Sequence, residues 1–551
     1  MPYSLVPPPD NLSVAQFLLD GLDNHVTRAQ RSASTPCLID DDSGQRVYLE
    51  ELRTRTGKIA TAMNFYWKLD SCISPPGPDY GPCAWATHRL GGIVATLGPM
   101  LTADEITHQL RIARPSIIFV HSECLASVLP AAGLVGLHPS RIILIDGIGS
   151  SSPGPHGLKN LDALIQEADS LPRFNERILA AGEAKNTIAF LAPSSGTTGT
   201  QKAVMISHYN VISIVIQMAT SSRLNEPYAP LEERRFRPGD ICYGLHIISL
   251  SLTAIDSSQL TLVLTPKFNF EKFLASIEKY RITHLTLEPI VKNYDLSSIR
   301  MCLVAAAPLS ASLTQELLQI LPNIHLGQGY GLTETCGATS IASSTYSQKI
   351  GTLGSVGQLL PGTLAKVVKP DGTLANETET GELYIKGGQV ALGYYGNEEA
   401  TRETFINGWL KTGDQVYFKD GDIFVVERLK ELIKVKGFQV PPAELEGHLL
   451  THPKIADAAV IGVPDDYSGE LPMAFIVLKP EVAAALKDER LEKQLREDIF
   501  KHVASAKSKH KWLTGGIQFI SAIPRNPSGK ILRRLLRNQT SQDTKSIHAR
   551  L

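Results

Sequence analysis

The chain has 551 residues, 43% of them hydrophobic and 20% charged, and this composition supports a folded core and excludes global disorder. Its 54 Lys and Arg residues balance 55 Asp and Glu residues to a net charge of −1, so charge gives no reason to expect nucleic acid or an anionic membrane as partner. The seven cysteines are odd in number and form no CxxC pair, which argues against a disulfide framework and a cysteine-rich zinc site.

The elements predicted along the chain alternate between strand and helix. The first ten residues carry neither the basic nor the apolar region of a secretory signal. The longest notable uncharged stretch, 241–255, is shorter than the roughly 20 apolar residues that span a bilayer. Residues 116–120 and 141–145 are predicted as buried strands, 270–280 as a helix and 282–287 as a strand. This alternation predicts an α/β fold with substantial parallel sheet.

The second half of the chain has a different texture. Between residues 351 and 396, short strands alternate with Pro-Gly, Asp-Gly and Gly-Gly turns, which predicts a small β-barrel or sheet. Strands at 458–463 and 473–478 and a charged helix at about 488–504 follow. We therefore predict a large N-terminal domain with αβ sheets and a small β-barrel, a small α+β C-terminal domain, and a flexible polar tail, at residues 1–427, 428–538 and 539–551.

The strongest motif is Leu-Ala-Pro-Ser-Ser-Gly-Thr-Thr-Gly-Thr-Gln-Lys at 191–202, directly after an apolar run. Glycines let a backbone turn tightly and bring N–H groups against an anion, while hydroxyl groups and Lys202 add donors and a charge for a terminal phosphate. It is not a Walker A loop, because GxxxxGK[ST] is absent. A Ser/Thr/Gly-rich surface loop is the alternative, and the ordered Gly-x-x-Gly-x-x-Lys behind a strand disfavours it.

Two weaker motifs follow. In Gly-Gln-Gly-Tyr-Gly-Leu-Thr-Glu, at 327–334, glycines surround one aromatic ring and one carboxylate, which suits a backbone beside a flat ligand with Glu334 available for Mg²⁺. In Gly-Trp-Leu-Lys-Thr-Gly-Asp, at 408–414, Asp414 follows a turn and could accept hydrogen bonds from ribose hydroxyls. Taken alone, the first is equally compatible with a glycine-rich bend that carries a solvated Glu, and the second is more often an ordinary turn.

These motifs, in this order, resemble those of the adenylate-forming superfamily, especially acyl-CoA synthetases and 4-coumarate–CoA ligases. The resemblance continues through Glu-Arg-Leu-Lys-Glu-Leu-Ile-Lys-Val-Lys-Gly-Phe-Gln, at 427–439, and Pro-Arg-Asn-Pro-Ser-Gly-Lys, at 524–530. It is close from about residue 187 to 534 and looser upstream. It implies a two-step reaction, in which a carboxylate attacks the α-phosphate of ATP·Mg²⁺ to give an acyl-adenylate and pyrophosphate, and the thiol of CoA then displaces AMP.

The resemblance also assigns roles within the predicted N-terminal domain. Thr333 would contact phosphate, and Glu334 would be the metal ligand. The phosphate-binding residues would be Ser194, Ser195, Gly196, Thr197, Thr198, Gly199 and Lys202. The residues beside the adenine would be Ala306, Gln328, Gly329, Tyr330 and Gly331.

For the C-terminal motifs the resemblance implies a mobile domain. Asp414 would bind the ribose with Arg428 nearby, Lys434 and Gln439 would contact the adenylate, and Lys530 would stabilise the negative charge that develops in the first step. The domain would then rotate, moving Lys530 out and Lys436 and Gly437 in towards CoA. The hinge position, usually Asp or Lys, is Glu427 here.

Upstream and in the acyl-binding region the chain departs from the family pattern. Residues 67–84 are expected to lack the usual strand, with an irregular loop at 74–79. The acyl-pocket segment is short, which leaves Tyr243 and His246 as pocket candidates, although a core position is the default for His246. An apolar helix is missing before 291–295. An unusual acyl pocket and a partly inactive chain are both compatible with these losses.

The chain ends in Ala549, Arg550 and Leu551, a small-basic-apolar tripeptide. It matches the physical classes of Ser-Lys-Leu, the peroxisomal address that an import receptor reads. Peroxisomal delivery is common among acyl-CoA ligases, so we predict a peroxisomal enzyme, with the cytoplasm as the alternative.

The leading hypothesis is an acid–thiol ligase that makes an aryl- or medium-chain acyl-CoA, with a small carboxylic acid, ATP, Mg²⁺ and CoA as its ligands. A second is an adenylating enzyme that transfers the acyl group to a separate carrier protein or another acceptor. A third is a catalytically inactive relative that binds nucleotide or a partner; the intact Lys202, Glu334, Asp414 and Lys530 argue against it, while the shortened acyl region argues for it.

Overall fold

The computed structural model describes residues 5–21, 31–67, 71–74, 79–98, 101–146, 154–194, 202–224, 230, 234–244, 260–265, 269–285, 294–304, 311–342, 351–436, 438–465, 467–486, 488–525 and 529–548. The chain folds into two compact units. The first consists of Met1–Ala305, Ala311–Ala365 and Ile385–Lys411, and the second of Ala306–Ser310, Lys366–Tyr384 and Thr412–Leu551. The boundary that we predict at residues 427–428 stays a prediction.

Strands form the framework of both units. In chain order they are Leu38–Asp40 (β1), Arg46–Val47 (β2), Ser71–Ser74 (β3), Ile93–Thr96 (β4), Ile117–Val120 (β5), Ile142–Leu144 (β6), Lys159–Asn160 (β7), Ile188–Ser194 (β8), Lys202–Ser207 (β9), Ile241–Gly244 (β10), Thr261–Leu264 (β11), His284–Leu285 (β12), Met301–Val304 (β13), His325–Tyr330 (β14), Ser340–Ile341 (β15), Gln358–Leu359 (β16), Leu364–Val368 (β17), Gly381–Lys386 (β18), Gly393–Tyr394 (β19), Phe405–Ile406 (β20), Trp409–Lys419 (β21), Asp422–Arg428 (β22), Ile433–Val435 (β23), Phe438–Val440 (β24), Ile455–Asp465 (β25), Gly469–Leu478 (β26) and Gly516–Phe519 (β27).

Helices cover the sheets. They are Leu49–Trp67 (α1), Tyr80–Arg89 (α2), Ala103–Ala113 (α3), Leu125–Leu134 (α4), Leu161–Glu167 (α5), His208–Ser221 (α6), Phe270–Tyr280 (α7), Ala311–Ile320 (α8), Glu398–Thr404 (α9), Pro442–Leu449 (α10), Pro480–Ala485 (α11), Glu489–Ala506 (α12) and Arg533–His548 (α13). In the part of the chain that the structure describes, no helix has the length and apolar character that crossing a membrane requires.

One sheet of the first unit has the order β19-β9-β8-β4-β3-β5-β6-β7. Strands β8, β4, β3, β5, β6 and β7 pair in parallel. Strand β9 pairs in the antiparallel direction with β8 on one side and with β19 on the other. Phe119 packs into one core cluster, while Ile118 and Val120 pack into another, so β5 is buried on both faces. This explains its continuous apolar run. The strands predicted at 116–120 and 141–145 are confirmed.

The expectation that residues 67–84 lack a strand is wrong. Ser71–Ser74 forms β3, which pairs in parallel with β4 and β5, with Cys72 opposite both Val94 and Ile117. A short Ser-Cys-Ile-Ser segment has a weak strand pattern, but hydrogen bonding to a neighbour on each side holds it extended. The irregular loop predicted at 74–79 falls largely on 75–78, outside the described residues.

A second sheet of the first unit has the order β16-β15-β14-β13-β12-β10-β11-β1-β2. The helix predicted at 270–280 is confirmed as α7, and His284–Leu285 lies within the strand predicted at 282–287. The helix begins at Asn269, whose side chain accepts a hydrogen bond from the Lys272 N–H, as helix caps do. The buried Phe273 and Ile277 are four residues apart and therefore lie on one face of α7.

The sheet of the second unit has the order β24-β23-β26-β25, with β27 paired in parallel to β26. Val460 and Ile476 share a core cluster with residues of α10 and α12, whereas Phe475 shares another with Leu536 of α13. Helices therefore cover both faces of this sheet, whose strands β23 to β26 pair in the antiparallel direction. The strands predicted at 458–463 and 473–478 and the helix at 488–504 are confirmed. Residues 539–548, the start of the predicted tail, are helical; the flexibility of the tail stays a prediction.

Short strands also fill the turn-rich region, as we predict from its Gly-containing turns. A further five-stranded sheet has the order β17-β18-β21-β20, with β22 paired to β21. The β21–β22 hairpin is antiparallel and has a register shift between Gln415 and Val416.

The sheets and the helices described above together confirm the predicted α/β fold class.

Candidate active site

The predicted phosphate-binding motif spans the hairpin of β8 and β9. Ser194 is the last residue of β8 and Lys202 the first of β9, and the two are register partners in the antiparallel pair. Ser195, Gly196, Thr197, Thr198 and Gly199 lie outside the described residues. The described ends of the motif therefore place its first hydroxyl and its lysine opposite one another.

Glu334 lies beside this hairpin. Strand β14 leads into a short 3₁₀ turn, Thr333–Thr335, which carries Glu334 with only 9% of its surface exposed. Ser194 Oγ donates to Glu334 Oε1 at 3.0 Å, and the Tyr394 hydroxyl donates to the same oxygen at 2.8 Å. Two neutral donors thus hold a buried carboxylate that the sequence predicts as a metal ligand.

A glycine allows the chain to make this turn. A Cβ atom at Gly331 would lie 1.4 Å from the Gly337 carbonyl oxygen, so any other residue would push the two backbone segments apart. The Ala391 N–H also donates to the Glu334 carbonyl at 2.9 Å. The backbone of Glu334 is therefore fixed from both sides, and its carboxylate has a defined place.

Lys202 contacts the same tyrosine. Its Nζ lies 4.6 Å from the centroid of the Tyr394 ring, a cation–π distance. Burial, followed by the nearby Glu334 charge, raises the pKa of Tyr394 well above its ordinary value of 10. The hydroxyl therefore keeps its proton at neutral pH and stays a donor.

The residues predicted beside the adenine lie on β14. Gln328, Gly329 and Tyr330 are half-buried, and Gly329 and Tyr330 pair in the antiparallel direction with β15. Thr333 is half-buried on the turn that follows. Ala306 lies outside the described residues. The structure therefore brings the whole predicted 327–334 motif onto one strand and its exit turn.

In the second unit, Asp414 and Arg428 meet across the β21–β22 hairpin. They are register partners, and Arg428 Nε lies 3.2 Å from Asp414 Oδ1, with Asp414 only 2% exposed. The Asp414 N–H donates to Thr412 Oγ1 at 3.1 Å, which holds the preceding turn. Gly413 has φ +74°, a conformation that glycine adopts without strain. The structure thus brings Asp414 and Arg428 together, and the ribose-binding role stays a prediction.

Lys530 lies in the electrostatic field of this pair. It is half-buried, and burial lowers its pKa, as does the positive charge of Arg428; Glu431 and Asp414 act in the opposite direction. A lysine with a lowered pKa holds its proton less tightly. Lys530 is therefore grouped with Asp414 and Arg428 within the second unit.

The remaining predicted residues of this unit lie on the β23–β24 hairpin. Lys434 and Gln439 are register partners, although the side chain of Gln439 is outside the described part of the structure. Lys436 is exposed at the tip, with φ 49° and its Nζ 4.2 Å from the Tyr467 ring centroid. Gly437 is also outside the described residues.

Tyr243, the acyl-pocket candidate, is a buried side chain of β10. Its ring makes an edge contact with Phe273 at 4.9 Å, and its hydroxyl donates to Asp41 Oδ2 at 3.3 Å. These contacts anchor the ring in the protein core; its role in a pocket stays a prediction. His246 and the terminal tripeptide 549–551 lie outside the described residues.

Two residues in these clusters were not predicted to have a role. Tyr394 links Glu334 to Lys202, and Arg533 pairs with Glu446 at 2.8 Å and with Glu431. The sequence signals were weak, because Tyr394 lies in a two-residue strand within a turn-rich region and Arg533 adjoins a second arginine.

The oxygen atoms at Glu334 and beside it are suitable ligands for Mg²⁺. This ion prefers oxygen ligands and is usually held by one or two carboxylates together with substrate phosphates. A buried carboxylate beside the Ser194 hydroxyl, with a lysine nearby for phosphate, provides such oxygens. No group of three or more His, Cys, Asp or Glu side chains suited to a metal occurs among the described residues.

Comparisons with known proteins match both halves of the chain. The profile described as "AMP-binding enzyme" matches residues 26–395, and "AMP-binding enzyme C-terminal domain" matches residues 444–530. The chain is 38% identical to 4-coumarate–CoA ligase-like 2 of Arabidopsis thaliana, over 97% of this chain and 92% of that protein. It is 34% identical to peroxisomal OPC-8:0-CoA ligase 1 of the same plant, over 96% and 93% of the two chains.

The fold also matches solved structures. The anthranilate CoA ligase AuaEII, in complex with anthranoyl-AMP, superposes with a TM-score of 0.78 over 96% of this chain and 98% of that one, at 23% sequence identity. The predicted architecture is therefore found in a solved structure along nearly the whole chain.

Proposed function

The chain belongs to the family of AMP-binding enzymes and is an ATP-dependent acid–thiol ligase, and we propose that its substrate is an aryl or medium-chain carboxylic acid. The relatives named for 4-coumarate and OPC-8:0 support a small organic acid as substrate. ATP and CoA are the co-substrates.

One observation supports the residue roles above all others. Glu334, 140 residues from Ser194 in sequence, meets the hairpin that carries Ser194 and Lys202, with the Ser194 hydroxyl 3.0 Å from the Glu334 carboxylate. A hydroxyl, a lysine and a carboxylate together provide the donors and the metal ligand that a magnesium–triphosphate needs. We assign this cluster to the β- and γ-phosphates of ATP.

The first step forms a bond between an oxygen of the substrate carboxylate and the α-phosphorus, and breaks the bond from that phosphorus to the bridging oxygen. Pyrophosphate leaves with that electron pair. The protein contributes mainly position and charge to such a step. Lys202 and Ser194 hold the departing phosphates, and Thr333 lies on the same turn as Glu334 to contact phosphate.

In the second step the sulfur of CoA bonds to the acyl carbon, and the bond from that carbon to the AMP oxygen breaks. AMP leaves with the electron pair, and the thiol proton passes to solvent or to a nearby base. Lys436 is exposed at the tip of its hairpin, where a phosphate-bearing ligand can reach it. We assign Lys436 and Gly437 to CoA.

Glu334 is the residue we assign to Mg²⁺. When bound, the ion neutralises phosphate charge and polarises the P–O bonds. The protein's own contribution is to orient the carboxylate, since Ser194 and Tyr394 both donate to its Oε1.

Residues of the second unit complete the assignment. The carboxylate of Asp414 accepts hydrogen bonds from ribose hydroxyls, while Arg428, at 3.2 Å, fixes its orientation. Lys530 supplies a cation to the negative charge that develops in the first step, and Lys434 and Gln439 contact the adenylate. The rotation of the C-terminal domain about Glu427 remains part of this proposal.

A peroxisomal location is the finer part of the proposal. It is supported by the terminal Ala549-Arg550-Leu551 and by the peroxisomal ligase among the relatives. A fluorescent fusion with a free C-terminus should give punctate signal that overlaps a peroxisomal marker. Diffuse signal that is insensitive to deletion of Leu551 would place the enzyme in the cytoplasm instead.

Pyrophosphate release across a panel of carboxylic acids, with and without CoA, tests the function. We expect acid-dependent pyrophosphate formation, and Lys530→Ala should reduce it by at least about tenfold, roughly 1.4 kcal/mol of barrier. Lys501→Ala, at an exposed lysine of α12, is the matched control and should leave the rate unchanged.

Each outcome of that assay has a distinct meaning. Unchanged activity in Lys530→Ala would refute the role of that lysine. Acyl-dependent AMP release that does not require CoA would favour transfer to another acceptor. An absence of turnover with every acid would favour a nucleotide-binding relative without catalytic activity.

A further inference from the structure

Tyr394 occupies a rigid place in the first unit. Strand β19 pairs with β9, so that Tyr394 lies opposite Val204, two residues from Lys202. Its backbone N–H donates to Thr401 Oγ1 at 2.9 Å, and the following N–H, of Tyr395, donates to the Ala203 carbonyl at 2.8 Å. Both flanks of the residue are thus fixed by hydrogen bonds.

The hydroxyl of Tyr394 makes a selective contact. It donates to Oε1 of Glu334, the oxygen that Ser194 also contacts, whereas Oε2 shows no hydrogen bond to any part of the chain that the structure describes. Tyr394 is 7% exposed, so this bond is shielded from water. Hydrogen bonds to a charged group contribute more than neutral ones, and burial limits competition from solvent. One oxygen is held, and the other is left to face a ligand.

The ring of Tyr394 makes the second contact. The Lys202 ammonium lies over it at 4.6 Å, and the ring edge packs against Phe405 at a centroid distance of 5.7 Å. Cation–π attraction limits where a flexible lysine side chain places its charge. A single side chain therefore contacts the anionic group and the cationic group of the cluster, each through a different part.

We propose that Tyr394 is a positioning residue that sets the Glu334 carboxylate and the Lys202 ammonium in the arrangement that binds magnesium–ATP. This inference rests on the proposed function, because it takes Glu334 as the metal ligand and Lys202 as a phosphate ligand. The hydroxyl acts on the metal side and the ring on the phosphate side. Tyr394 itself touches neither ATP nor the reacting acid.

Two substitutions separate these actions. Tyr394→Phe keeps the ring and removes the hydroxyl. The Mg²⁺ concentration at which the ATP association constant reaches half of its value at saturating Mg²⁺ should therefore rise about tenfold, the effect of losing one hydrogen bond to a charged group. Tyr394→Leu also removes the ring, so ATP affinity at saturating Mg²⁺ should fall a further threefold or so. Tyr395→Phe, at the 42% exposed neighbour, is the matched control and should behave as the wild type.

Calorimetric titration with ATP, at a series of Mg²⁺ concentrations and without acid, measures these affinities while no turnover occurs. Thermal unfolding of the same variants shows whether the fold is kept. A Tyr394→Phe variant with wild-type Mg²⁺ dependence, or a loss of ATP affinity that is equal at all Mg²⁺ concentrations, would overturn the proposal. So would a loss that appears only together with a lowered melting temperature.

The experiment separates this inference from the proposed function. A wild-type enzyme that binds magnesium–ATP but releases no pyrophosphate with any acid would refute the ligase substrate proposal, while the binding data would still decide the role of Tyr394. A wild-type enzyme that turns over normally, with unaltered Tyr394 variants, would refute only the positioning role.

Discussion

Two buried carboxylates, one in each unit, are held in different ways. In the first unit, the neutral hydroxyls of Ser194 and Tyr394 hold Glu334. In the second, Arg533 donates to both oxygens of Glu446, at 2.8 and 2.9 Å. Neutral donors orient a carboxylate and leave its charge available, whereas an ionic partner cancels that charge.

The ionic interactions of Arg533 form a structural joint. The Arg533 cluster also includes Glu431 and the Val460 carbonyl. It therefore joins α13 to α10, to β25 and to the segment between β22 and β23. Glu427 lies nearby, where burial raises its pKa and Arg533 opposes that rise. Its carboxylate accepts from the N–H groups of Arg428 at 2.9 Å and Ala443 at 3.1 Å. Because the carboxylates of this cluster are hydrogen-bonded to Arg533 or to backbone N–H groups, they stabilise the packing of the elements that carry them.

The largest expected effect breaks the ionic cluster. Arg533→Met leaves the buried Glu446 and the half-buried Glu431 without their cation, and removal of one partner from a buried ion pair typically costs about 3–5 kcal/mol. The free energy of unfolding, measured by urea denaturation, should fall by about that amount. Arg534→Met, at the exposed neighbouring arginine, is the control. Equal stability of the two variants would show that the cluster is not a structural joint.

A second substitution tests the uncompensated carboxylate of the first unit. Glu334→Gln keeps the shape and an acceptor oxygen but removes the charge, so pyrophosphate release should fall about 100-fold, roughly 2.7 kcal/mol of barrier. Folding stability should not fall, because no ionic partner is left behind. Glu403→Gln, on the exposed side of α9, serves as the control. A destabilised Glu334→Gln variant with near-normal turnover would show that Glu334, like Glu446, stabilises the fold and does not serve the reaction.

A third case is a buried group that has no charged partner among the residues that the structure describes. His88 is 1% exposed, its Nε2 lies 3.1 Å from the Ala189 carbonyl oxygen, and its ring packs on that of His208 at 4.9 Å. Burial lowers the pKa of His88 from 6.5 to about 4, so between these values the unfolded state binds the proton and the folded state does not. Stability from this residue is fully present above pH 6.5 and is lost as pH falls towards 4.

The measurement compares urea unfolding at pH 7 and pH 5. His88 should contribute about 2 kcal/mol of the stability lost over that interval, and His88→Gln should show a pH dependence smaller by that amount. His138→Gln, at an exposed histidine, should retain the wild-type pH dependence. An unchanged pH dependence in His88→Gln would mean that this histidine is already protonated in the folded protein at pH 5.

Sequence patterns predicted elements with strong local signals. The strand at β5 and the helix at α7 follow from apolar spacing, which reports burial directly. They failed at β3, whose four residues are extended because strands pair with it on both sides. They also did not single out Tyr394, since a tyrosine in a turn-rich segment carries no mark of the distant Glu334 that its hydroxyl contacts.

The sequence by itself determined the α/β class and the family resemblance, because glycines, hydroxyls and charges at fixed spacing constrain local backbone and chemistry. The residues assigned to phosphate and ribose stay predictions. Only the tertiary structure decided which groups meet. Ser194, Glu334 and Tyr394 lie on three separate elements. Strands β8 and β19 both pair with β9 in one sheet, and the turn after β14, in the other sheet, brings Glu334 within hydrogen-bond distance of Ser194 and Tyr394. Tertiary packing also decides whether a buried carboxylate has neutral donors, as Glu334 has, or a cation, as Glu446 has. The spacing of residues along the chain does not determine that partner.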